Sequence, residues 1–373
     1  MSEHKQSGLA IYLDPPSHHF LQDRLFIVDD GRLTGDRLNA PYAYLQEFFG
    51  ARGIPMRTAD YLPPSDSDVQ KIYVSFGMRH NYQKMLRRKD VIPCAFFAME
   101  CPIVEPAMYR AFPDLHKVFR RIFSWSDSQS LARFVGQSIP CEHFCWPQSF
   151  DDVHEEIWRG TDRKFLVMIN ANKLPRIYWQ ELYTERLRAV EFFSRTGEID
   201  LFGKGWDAPP FPVTRLWTPY TLRRMYYVLK RAWRRLRPDP LLQAAQHVYQ
   251  GTTPAKSQTL GQYTFALCFE NMILKGWITE KIFDCFFAGT IPIYWGAPDI
   301  EDYVPAECFI DMRKFSGYPE LRLFLKSLHD TEVQTYKEAA REYLRSQRFW
   351  PFSKKAFAEL FVRMIEEDTG IHV

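Results

Sequence analysis

The sequence predicts an α/β fold made of two domains, each with a parallel sheet covered by helices. The chain has 373 residues, which is long for one ordinary domain and short for three. Short apolar runs alternate with stretches of helical periodicity, which is the pattern of βαβ units. Charged and amide side chains follow several of these runs, as expected where the carboxyl ends of parallel strands bind a ligand.

The composition is that of a folded protein, with 46% hydrophobic and 25% charged residues. No run of about 18 uncharged apolar residues occurs, so no membrane-spanning helix is predicted. The segment Met1–Gly8 is polar and lacks the apolar centre of a secretory signal. Seven scattered cysteines, an odd number, argue against a disulfide framework. We therefore expect a cytoplasmic protein.

The N-terminal domain is expected to span residues 1–150. It contains a short apolar run that ends in acidic residues, Arg24–Asp29, and helical spacing predicts a helix over Tyr42–Gly53. Runs rich in β-branched and aromatic residues predict the strands Lys71–Phe76, Ala95–Met99 and Phe119–Trp125.

A linker over Trp146–Glu156 is expected to lead into a second domain at residues 151–350. Apolar runs predict four of its strands: Phe165–Ile169, Ile199–Phe202, Thr264–Phe269 and Ile291–Trp295. Arg176 is predicted to open a helix that Gly197 ends, and Gly289 is predicted to end a helix over Glu280–Phe287. The stretch Glu332–Glu367 is expected to be mainly helical, with residues 351–373 forming a separate C-terminal tail.

The densest functional signal is the run Phe265–Pro298, which contains the predicted strand Thr264–Phe269 from its second residue onward and the predicted helix Glu280–Phe287. A buried strand delivers Glu270 and Asn271 to its carboxyl end, and Thr279 stands at the expected N-cap of a helix. Glu280 and Lys281 lie in the first helical turn. A helix N-terminus beside a lysine favours a diphosphate, which leaves Glu280 to face sugar hydroxyls. An ordinary capped helix start with a solvated lysine is the alternative, and the residues alone leave both open.

The run from Phe269 to Pro298 resembles the signature of the α-1,3/4-fucosyltransferases, glycosyltransferase family 10, in its bacterial form. The matching elements are Phe269-Glu270-Asn271, Trp277, Thr279-Glu280-Lys281, and Ile291-Pro292-Ile293 leading to Gly296. The resemblance implies the GT-B architecture, two Rossmann-like domains facing across a cleft, with the acceptor bound by the N-terminal domain and the nucleotide sugar by the C-terminal one. It also implies inverting transfer of L-fucose from GDP-fucose, with no cofactor required.

The same resemblance assigns roles to five residues of the second domain. It implies that Glu280 and Lys281 contact the fucose and diphosphate of the donor, that Asn271 and Trp277 line the donor site, and that Arg176 binds the donor phosphates. A tyrosine is the usual loop aromatic in bacterial relatives, so Trp277 keeps the stacking surface and loses a hydroxyl. From the residues alone, a surface arginine is the favoured interpretation of Arg176, although a guanidinium at a helix start can hold a phosphate with two hydrogen bonds.

Glu100 is the predicted general base. The segment Met99-Glu100-Cys101-Pro102 resembles the Met-Glu-Ser-Pro context of the glutamate proposed as base in the family, with Cys101 in place of serine. A carboxylate at the end of a strand can take the proton that the acceptor hydroxyl loses as it attacks the anomeric carbon. Glu105 is the rival candidate.

No metal site is predicted. Cys141, His143 and Cys145 make up half of a Cys/His ligand set, but no second pair accompanies them, which favours a packed loop. No Asp-x-Asp motif follows a predicted strand. We expect a cationic cradle formed by Arg176 and Lys281 to stabilise the diphosphate in place of a metal.

The segment Arg215–Arg237 contains eight basic residues and no acidic one, with apolar residues at helical spacing. This pattern is typical of a basic amphipathic helix that lies on a membrane surface. An ordinary helix with a solvated basic face is the alternative, and nucleic-acid binding is disfavoured because the rest of the chain is not basic. The prediction is peripheral contact with the inner face of the membrane, with a lipid-linked glycan as acceptor.

The leading hypothesis is therefore a transferase that moves fucose to O-3 or O-4 of an N-acetylglucosamine or glucose unit. One alternative is the same mechanism with another GDP-sugar. The other is a non-catalytic membrane- or nucleic-acid-binding protein on a transferase scaffold. The residues do not identify the acceptor.

Overall fold

The structure is a computed structural model that describes residues 8–28, 37–64, 69–77, 88–207, 211–212, 239–253 and 255–373. The chain divides into two units. Unit 1 comprises Met1–Asp151, Lys275–Trp277 and Gln347–Val373, and unit 2 comprises Asp152–Leu274 and Ile278–Ser346. The first division falls beside the predicted boundary at residue 150, and the predicted tail 351–373 is part of unit 1.

Unit 1 contains a six-stranded parallel sheet in the order β2-β1-β3-β4-β5-β6. Its strands are β1 (Leu9–Asp14), β2 (Met56–Thr58), β3 (Gln70–Phe76), β4 (Val91–Phe97), β5 (Arg121–Ser124) and β6 (Glu142–His143). Its first helices are α1 (Ala40–Gly50), α2 (Pro106–Arg110), α3 (Phe112–Leu115) and α4 (Ser128–Val135). The predicted helix and the three predicted strands of this half are therefore present.

The first strand of unit 1 was missed by the sequence analysis. Every residue of β1 is buried, and β1 pairs with both β2 and β3, one strand in from the edge of the sheet. The apolar run Arg24–Asp29 contains a short 3-10 helix, Arg24–Phe26, instead of a strand. Asp23, which precedes that helix, has a φ of 57° and turns the chain away from an extended path.

Unit 2 contains a five-stranded parallel sheet in the order β13-β12-β11-β7-β9. Its strands are β7 (Lys164–Ile169), β9 (Ile199–Phe202), β11 (Tyr263–Phe269), β12 (Ile291–Trp295) and β13 (Ile310–Asp311), and β8 (Lys173–Leu174) pairs separately with β10 (Phe211–Pro212). Its helices are α5 (Glu155–Trp158), α6 (Tyr183–Ser194), α7 (Pro240–His247), α8 (Lys256–Leu260), α9 (Glu280–Ala288), α10 (Ile300–Tyr303), α11 (Tyr318–Ser327) and α12 (Asp330–Leu344). The last helix of the chain, α13 (Lys354–Thr369), belongs to unit 1.

The centre of unit 2 is the apolar strand β11. It lies between β12 and β7, with Phe265 opposite both Ile291 and Leu166. A strand covered on both faces is a continuous apolar run rather than an alternating one, which is why its sequence identified it. Gly289 ends α9 with a φ of 67°, as its position predicted.

One prediction for unit 2 is wrong, because Arg176 does not open a helix. It lies in the loop after β8, and α6 begins only at Tyr183. Gln180 has a φ of 48°, which is incompatible with a continuous right-handed helix. The first turn of α6 is closed by Glu181, whose carboxylate accepts hydrogen bonds from the backbone N–H and the hydroxyl of Thr184 at 2.9 and 2.5 Å. A helix N-terminus therefore does not assist Arg176 in binding phosphate.

Within the described ranges, no helix combines the length and the apolarity needed to cross a bilayer. The basic segment Arg215–Arg237 lies outside the described residues, so its predicted helix and membrane contact stay predictions.

Candidate active site

The candidate site of unit 2 lies where its parallel strands end. Because β7, β9, β11 and β12 run in the same direction, their carboxyl ends share one edge of the sheet. The residues that follow these strands are Asn170, Gly203, Glu270 and Gly296. Ligands bind at this edge in open parallel sheets, as the sequence analysis expected.

The loops after β7 and β9 pack against each other. Gly203 has a φ of 133°, and a Cβ there would lie 2.0 Å from the carbonyl oxygen of Asn170. That same carbonyl accepts a hydrogen bond from the indole of Trp206 at 2.6 Å. Asn172 donates from its side chain to the carbonyl of Gly205 at 2.9 Å. Only glycine permits this approach at position 203, and the contact fixes the loop that contains Asn170.

Glu270 is fully buried at the end of β11, and three groups donate hydrogen bonds to its carboxylate. The backbone N–H of Thr279 donates at 2.8 Å, the Thr279 hydroxyl lies 2.9 and 2.8 Å from the two oxygens, and the Lys281 ammonium donates at 3.1 Å. Thr279 is the N-cap of α9, as predicted, but its side chain makes no capping hydrogen bond to the helix. Its hydroxyl donates a hydrogen bond to the Glu270 carboxylate instead.

Five charged residues of alternating sign line the start of α9, and we call them the ion-pair chain: Glu270, Lys281, Glu280, Lys256 and Asp284. The ammonium of Lys281 lies 3.1 Å from Glu270 and 3.7 Å from Glu280. The ammonium of Lys256, the first residue of α8, lies 3.8 Å from Glu280 and is hydrogen-bonded to Asp284. Glu280 and Lys281, the two residues predicted to bind the donor, are thus ion-paired with Lys256 and Glu270, and Lys256 also pairs with Asp284. The sequence analysis gave these three partners no role in the site.

The ion-pair chain keeps its central pair ionised. Partial loss of hydration would raise the pKa of Glu280, but Lys281 and Lys256 outweigh this and lower it to about 2. Burial would lower the pKa of the Lys281 ammonium, but the Glu270 and Glu280 carboxylates outweigh burial and raise it. Both residues therefore carry full charge near neutral pH.

A small recess beside the ion-pair chain is lined by Asn170, Lys256, Cys268, Lys281 and Cys285, with apolar residues of β7, β11 and α8. The recess has a volume of about 20 Å³, which is room for one water molecule and not for a diphosphate. Lys281 lies at the start of α9, where its ammonium and the helix N-terminus together favour an anionic ligand.

Asn271 is held by a buried arginine that the sequence analysis also missed. Arg186 of α6 is 4% exposed and donates to the Asn271 side-chain oxygen at 3.1 Å. It also donates to the carbonyl of Phe269 at 3.2 and 2.6 Å. Because the side-chain oxygen of Asn271 is engaged, its amide nitrogen is the group left to contact a ligand.

The C-terminal end of α9 is held by Arg163, a half-buried cation. The guanidinium of Arg163 donates to the carbonyls of Gly289 and Ala288 at 2.7 and 3.1 Å. It also reaches four further carbonyls, those of Ile157, Trp158, Gly160 and Tyr263. Burial lowers the pKa of Arg163 to about 10. A cation at this end complements the helix dipole, so α9 is fixed at both ends.

Trp277 lies in unit 1, unlike the other residues predicted to bind the donor. Its side chain is 2% exposed and packs against Trp125, with 4.8 Å between ring centroids. The preceding Gly276 has a φ of 73°, and a Cβ there would lie 2.3 Å from the Trp125 carbonyl oxygen. The predicted stacking of Trp277 on the donor stays a prediction, since the whole ring is buried in this structure.

Arg176 is half-buried in its loop, six residues before the cap of α6 at Leu182. The contacts described above join Glu280 and Lys281 directly and do not include Arg176. The predicted pairing of Arg176 with Lys281 in one phosphate cradle therefore stays a prediction.

In unit 1, Glu100 follows β4 by three residues, so it lies at the carboxyl edge of that sheet, as predicted. It is half-buried, and its carbonyl accepts a hydrogen bond from the hydroxyl of the buried Tyr109 at 2.7 Å. The rival Glu105 is also half-buried and precedes α2 as its N-cap residue, without a side-chain capping bond. Glu100 and Glu105 are buried to a similar degree, so burial does not show which of them is the general base.

In the part of the chain that the structure describes, no three His, Cys, Asp or Glu side chains are grouped so as to hold a metal ion. The Cys141–Cys145 loop packs against α4, where the Cys141 thiol lies 3.4 Å from the Ser128 hydroxyl.

Residues 240–359 match the family model described as glycosyltransferase family 10 (fucosyltransferase), C-terminal. The match includes the run from Phe269 to Pro298, so the resemblance predicted from that run is confirmed. The alpha-(1,3)-fucosyltransferase of Helicobacter pylori is 33% identical over 127 residues, which are 31% of this chain and 26% of that enzyme. The alpha-(1,4)-fucosyltransferase of Arabidopsis thaliana is 38% identical over 74 residues, 20% of this chain and 18% of that enzyme. The chain thus matches about a quarter or less of the length of these relatives.

A crystal structure of an alpha1,3-fucosyltransferase resembles the whole chain, with a TM-score of 0.50 and 15% identity, covering 100% of this chain and 94% of that one. At this identity the likeness concerns the fold. Together with the two parallel sheets, it confirms the predicted α/β class of GT-B type with two Rossmann-like domains.

Proposed function

We propose that this chain, whose residues 240–359 belong to glycosyltransferase family 10, transfers L-fucose from GDP-fucose to a hydroxyl group of a glycan. One observation carries the proposal. The family signature forms a strand, a loop and a helix start, and in the first turn of that helix the ammonium of Lys281 lies 3.1 Å from Glu270 and 3.7 Å from Glu280. That arrangement suits the diphosphate and hydroxyl groups of a sugar nucleotide.

In the proposed reaction, the acceptor oxygen attacks the anomeric carbon of fucose while the bond to the GDP β-phosphate oxygen breaks. Glu100 takes the proton from the acceptor hydroxyl. Lys281 stabilises the negative charge that develops on the departing diphosphate, and Arg176 is proposed to add a second positive charge. Asn271 and Glu280 bind the donor by hydrogen bonds. Attack from the face opposite the leaving group inverts the β-linked donor to an α-linked product.

For the acceptor we propose O-3 or O-4 of an N-acetylglucosamine or glucose unit. The support is the linkage in the names of the two relatives, alpha-(1,3) and alpha-(1,4). A lipid-linked glycan is the proposed form of the acceptor, and the basic composition of Arg215–Arg237 supports docking of the protein on the inner, anionic face of the cytoplasmic membrane.

The direct test is incubation with GDP-fucose and a panel of lactosamine and Lewis-precursor oligosaccharides, followed by mass spectrometry. We expect one acceptor to gain the mass of a single fucose residue and GDP to be released in equal amount. GDP-mannose in a parallel reaction tests the alternative donor. The Lys281→Ala variant, which removes the ammonium, should lose most of the product, with a thermal unfolding curve to check that it is folded.

A thermal-shift series separates enzyme from non-catalytic alternatives. Because a ligand that binds only the folded state raises the unfolding temperature, GDP should raise the midpoint while UDP leaves it unchanged. A protein that is insensitive to GDP and transfers no sugar from either donor would contradict the proposal, and stabilisation by anionic vesicles or nucleic acid alone would favour the non-catalytic alternative.

A further inference from the structure

We propose that Glu270 is a positioning residue of the donor site, which holds the Lys281 ammonium and the first turn of α9 in the orientation that binds the donor diphosphate. The inference rests on the proposed function and extends it to a residue that was given no role from the sequence. Glu270 itself does not touch the donor in this proposal. It acts through Lys281.

The first argument is burial with complete pairing. The Glu270 carboxylate is fully buried, and an isolated charge in such a position would be strongly unfavourable. It is compensated by the ammonium of Lys281 and by two groups of Thr279. Removing one partner of such a pair leaves an uncompensated charge, whereas the intact set fixes the geometry of all its members.

The second argument concerns the hydrogen-bonding capacity of Lys281. An ammonium group has three N–H donors. Two of them serve Glu270 at 3.1 Å and the Thr279 hydroxyl at 2.8 Å. Glu280, at 3.7 Å, is beyond hydrogen-bond distance. Because two donors are anchored on rigid elements, the direction of the third is defined, and the Lys281 side chain lines the recess that also contains Asn170 and Lys256.

The third argument is that Glu270 cannot easily move. A Cβ on Gly296 would lie 2.5 Å from the Glu270 Cγ and 2.6 Å from the Tyr294 hydroxyl oxygen, so the end of β12 packs directly against the glutamate. The Tyr294 hydroxyl in turn accepts a hydrogen bond from the Ala297 N–H at 3.0 Å. Glu270 is therefore confined by β12 on one side and by α9 on the other.

The test is a double-mutant cycle on GDP affinity, measured by calorimetry with the full chain. The variants are Glu270→Gln, Lys281→Met and the combination. Gln keeps the size of the side chain and an acceptor for Thr279 but loses the charge that orients Lys281. We expect each single variant to weaken GDP binding by about tenfold or more, the effect of a charge-assisted hydrogen bond. In the Lys281→Met background, Glu270→Gln should add less than about twofold.

The outcomes distinguish this inference from the proposed function. A wild-type chain that binds no GDP refutes the proposed function. A wild-type chain that binds GDP no more tightly than Glu270→Gln, or a Glu270→Gln effect that persists in full without Lys281, refutes the positioning role alone.

A second measurement tests the Glu270–Lys281 ion pair in the absence of any ligand. Competitive acetylation, followed by peptide mass spectrometry between about pH 8 and 11, reports the protonation and accessibility of each lysine. Since Glu270 raises the pKa of Lys281, Glu270→Gln should increase acetylation of Lys281 at a given pH. The matched control is Asp284→Asn. Asp284 lies on α9, as Lys281 does, but it pairs with Lys256. Equal labelling of Lys281 in wild type and Glu270→Gln would overturn the inference.

Discussion

Replacement of Gly296 by alanine should destabilise unit 2 and disturb the candidate site through steric contact alone. The backbone of Gly296 does not have a positive φ, so alanine meets no conformational penalty there. Its Cβ would lie 2.5 Å from the Cγ of Glu270 and 2.6 Å from the hydroxyl oxygen of Tyr294. Favourable contacts between carbon atoms are about 3.5–4.0 Å long, so both neighbours, or the backbone of Gly296 itself, must move by about 1 Å.

The magnitude follows from what surrounds these neighbours. Both Glu270 and Tyr294 are fully buried, and overpacking of a filled site costs about 1–3 kcal/mol. If Tyr294 moves, its hydrogen bond with the Ala297 N–H is strained, which adds about 1 kcal/mol. We therefore expect Gly296→Ala to lower the free energy of unfolding by about 2–4 kcal/mol.

The assay is urea unfolding followed by intrinsic fluorescence, with Gly317→Ala as the matched control. Gly317 also lies in unit 2, its extended backbone accepts alanine, and the nearest atom to an added Cβ is Pro319 Cδ at 3.6 Å. The control should be unchanged or slightly stabilised, by up to about 1 kcal/mol, since alanine restricts the unfolded chain.

GDP affinity should separate the two glycine variants further, because only the contact at position 296 reaches Glu270. We expect weaker GDP binding for Gly296→Ala and wild-type binding for Gly317→Ala. Equal free energies of unfolding for both variants would refute the steric reasoning. Loss of stability in Gly296→Ala with unchanged GDP affinity would show that Tyr294, and not Glu270, absorbs the strain.

Three further predictions concern other parts of the chain. Arg163→Met should lower the free energy of unfolding by about 3–5 kcal/mol in the same assay, because buried carbonyls lose their donor, while the exposed Arg159→Met should change it little. Glu100→Gln should lower turnover by about two to four orders of magnitude without changing GDP affinity, and the same result for Glu105→Gln instead would move the base to that residue. Reversing three arginines of Arg215–Arg237 to glutamate should abolish co-sedimentation with anionic liposomes at low salt but not activity on a soluble acceptor, and unchanged co-sedimentation would exclude this segment as the docking element.

Most strands of unit 2 were predictable because a buried parallel strand is a continuous apolar run. The runs that became β7, β11 and β12 satisfy that rule, and the glycine after α9 marked its end. The helix start near Arg176 was not predictable from periodicity. It depends on the left-handed backbone conformation of Gln180 and on the Glu181 carboxylate, which accepts a hydrogen bond from the Thr184 N–H. Neither feature affects the spacing of the apolar residues.

The candidate site was predictable only as far as its residues are neighbours in sequence. Glu280 and Lys281 were found because they follow a helix cap. Glu270 is eleven residues from Lys281, and the two meet because β11 ends beside the start of α9. Asp284 lies one helical turn beyond Glu280, so helical spacing could have placed them on one face. Lys256 had no such signal, since its place depends on how α8 packs against α9.

The assignment of Lys275–Trp277 to unit 1 has a practical consequence for fragment expression. Unit 2 is not a continuous stretch of sequence, because these three residues interrupt it between Leu274 and Ile278. A fragment of residues 152–346 would carry Trp277 without its neighbour Trp125 and would expose an indole that is 2% accessible in the whole chain. Excising unit 2 at its outer boundaries would therefore leave this indole without its cover, and expression of unit 2 alone calls for a polar substitution at Trp277.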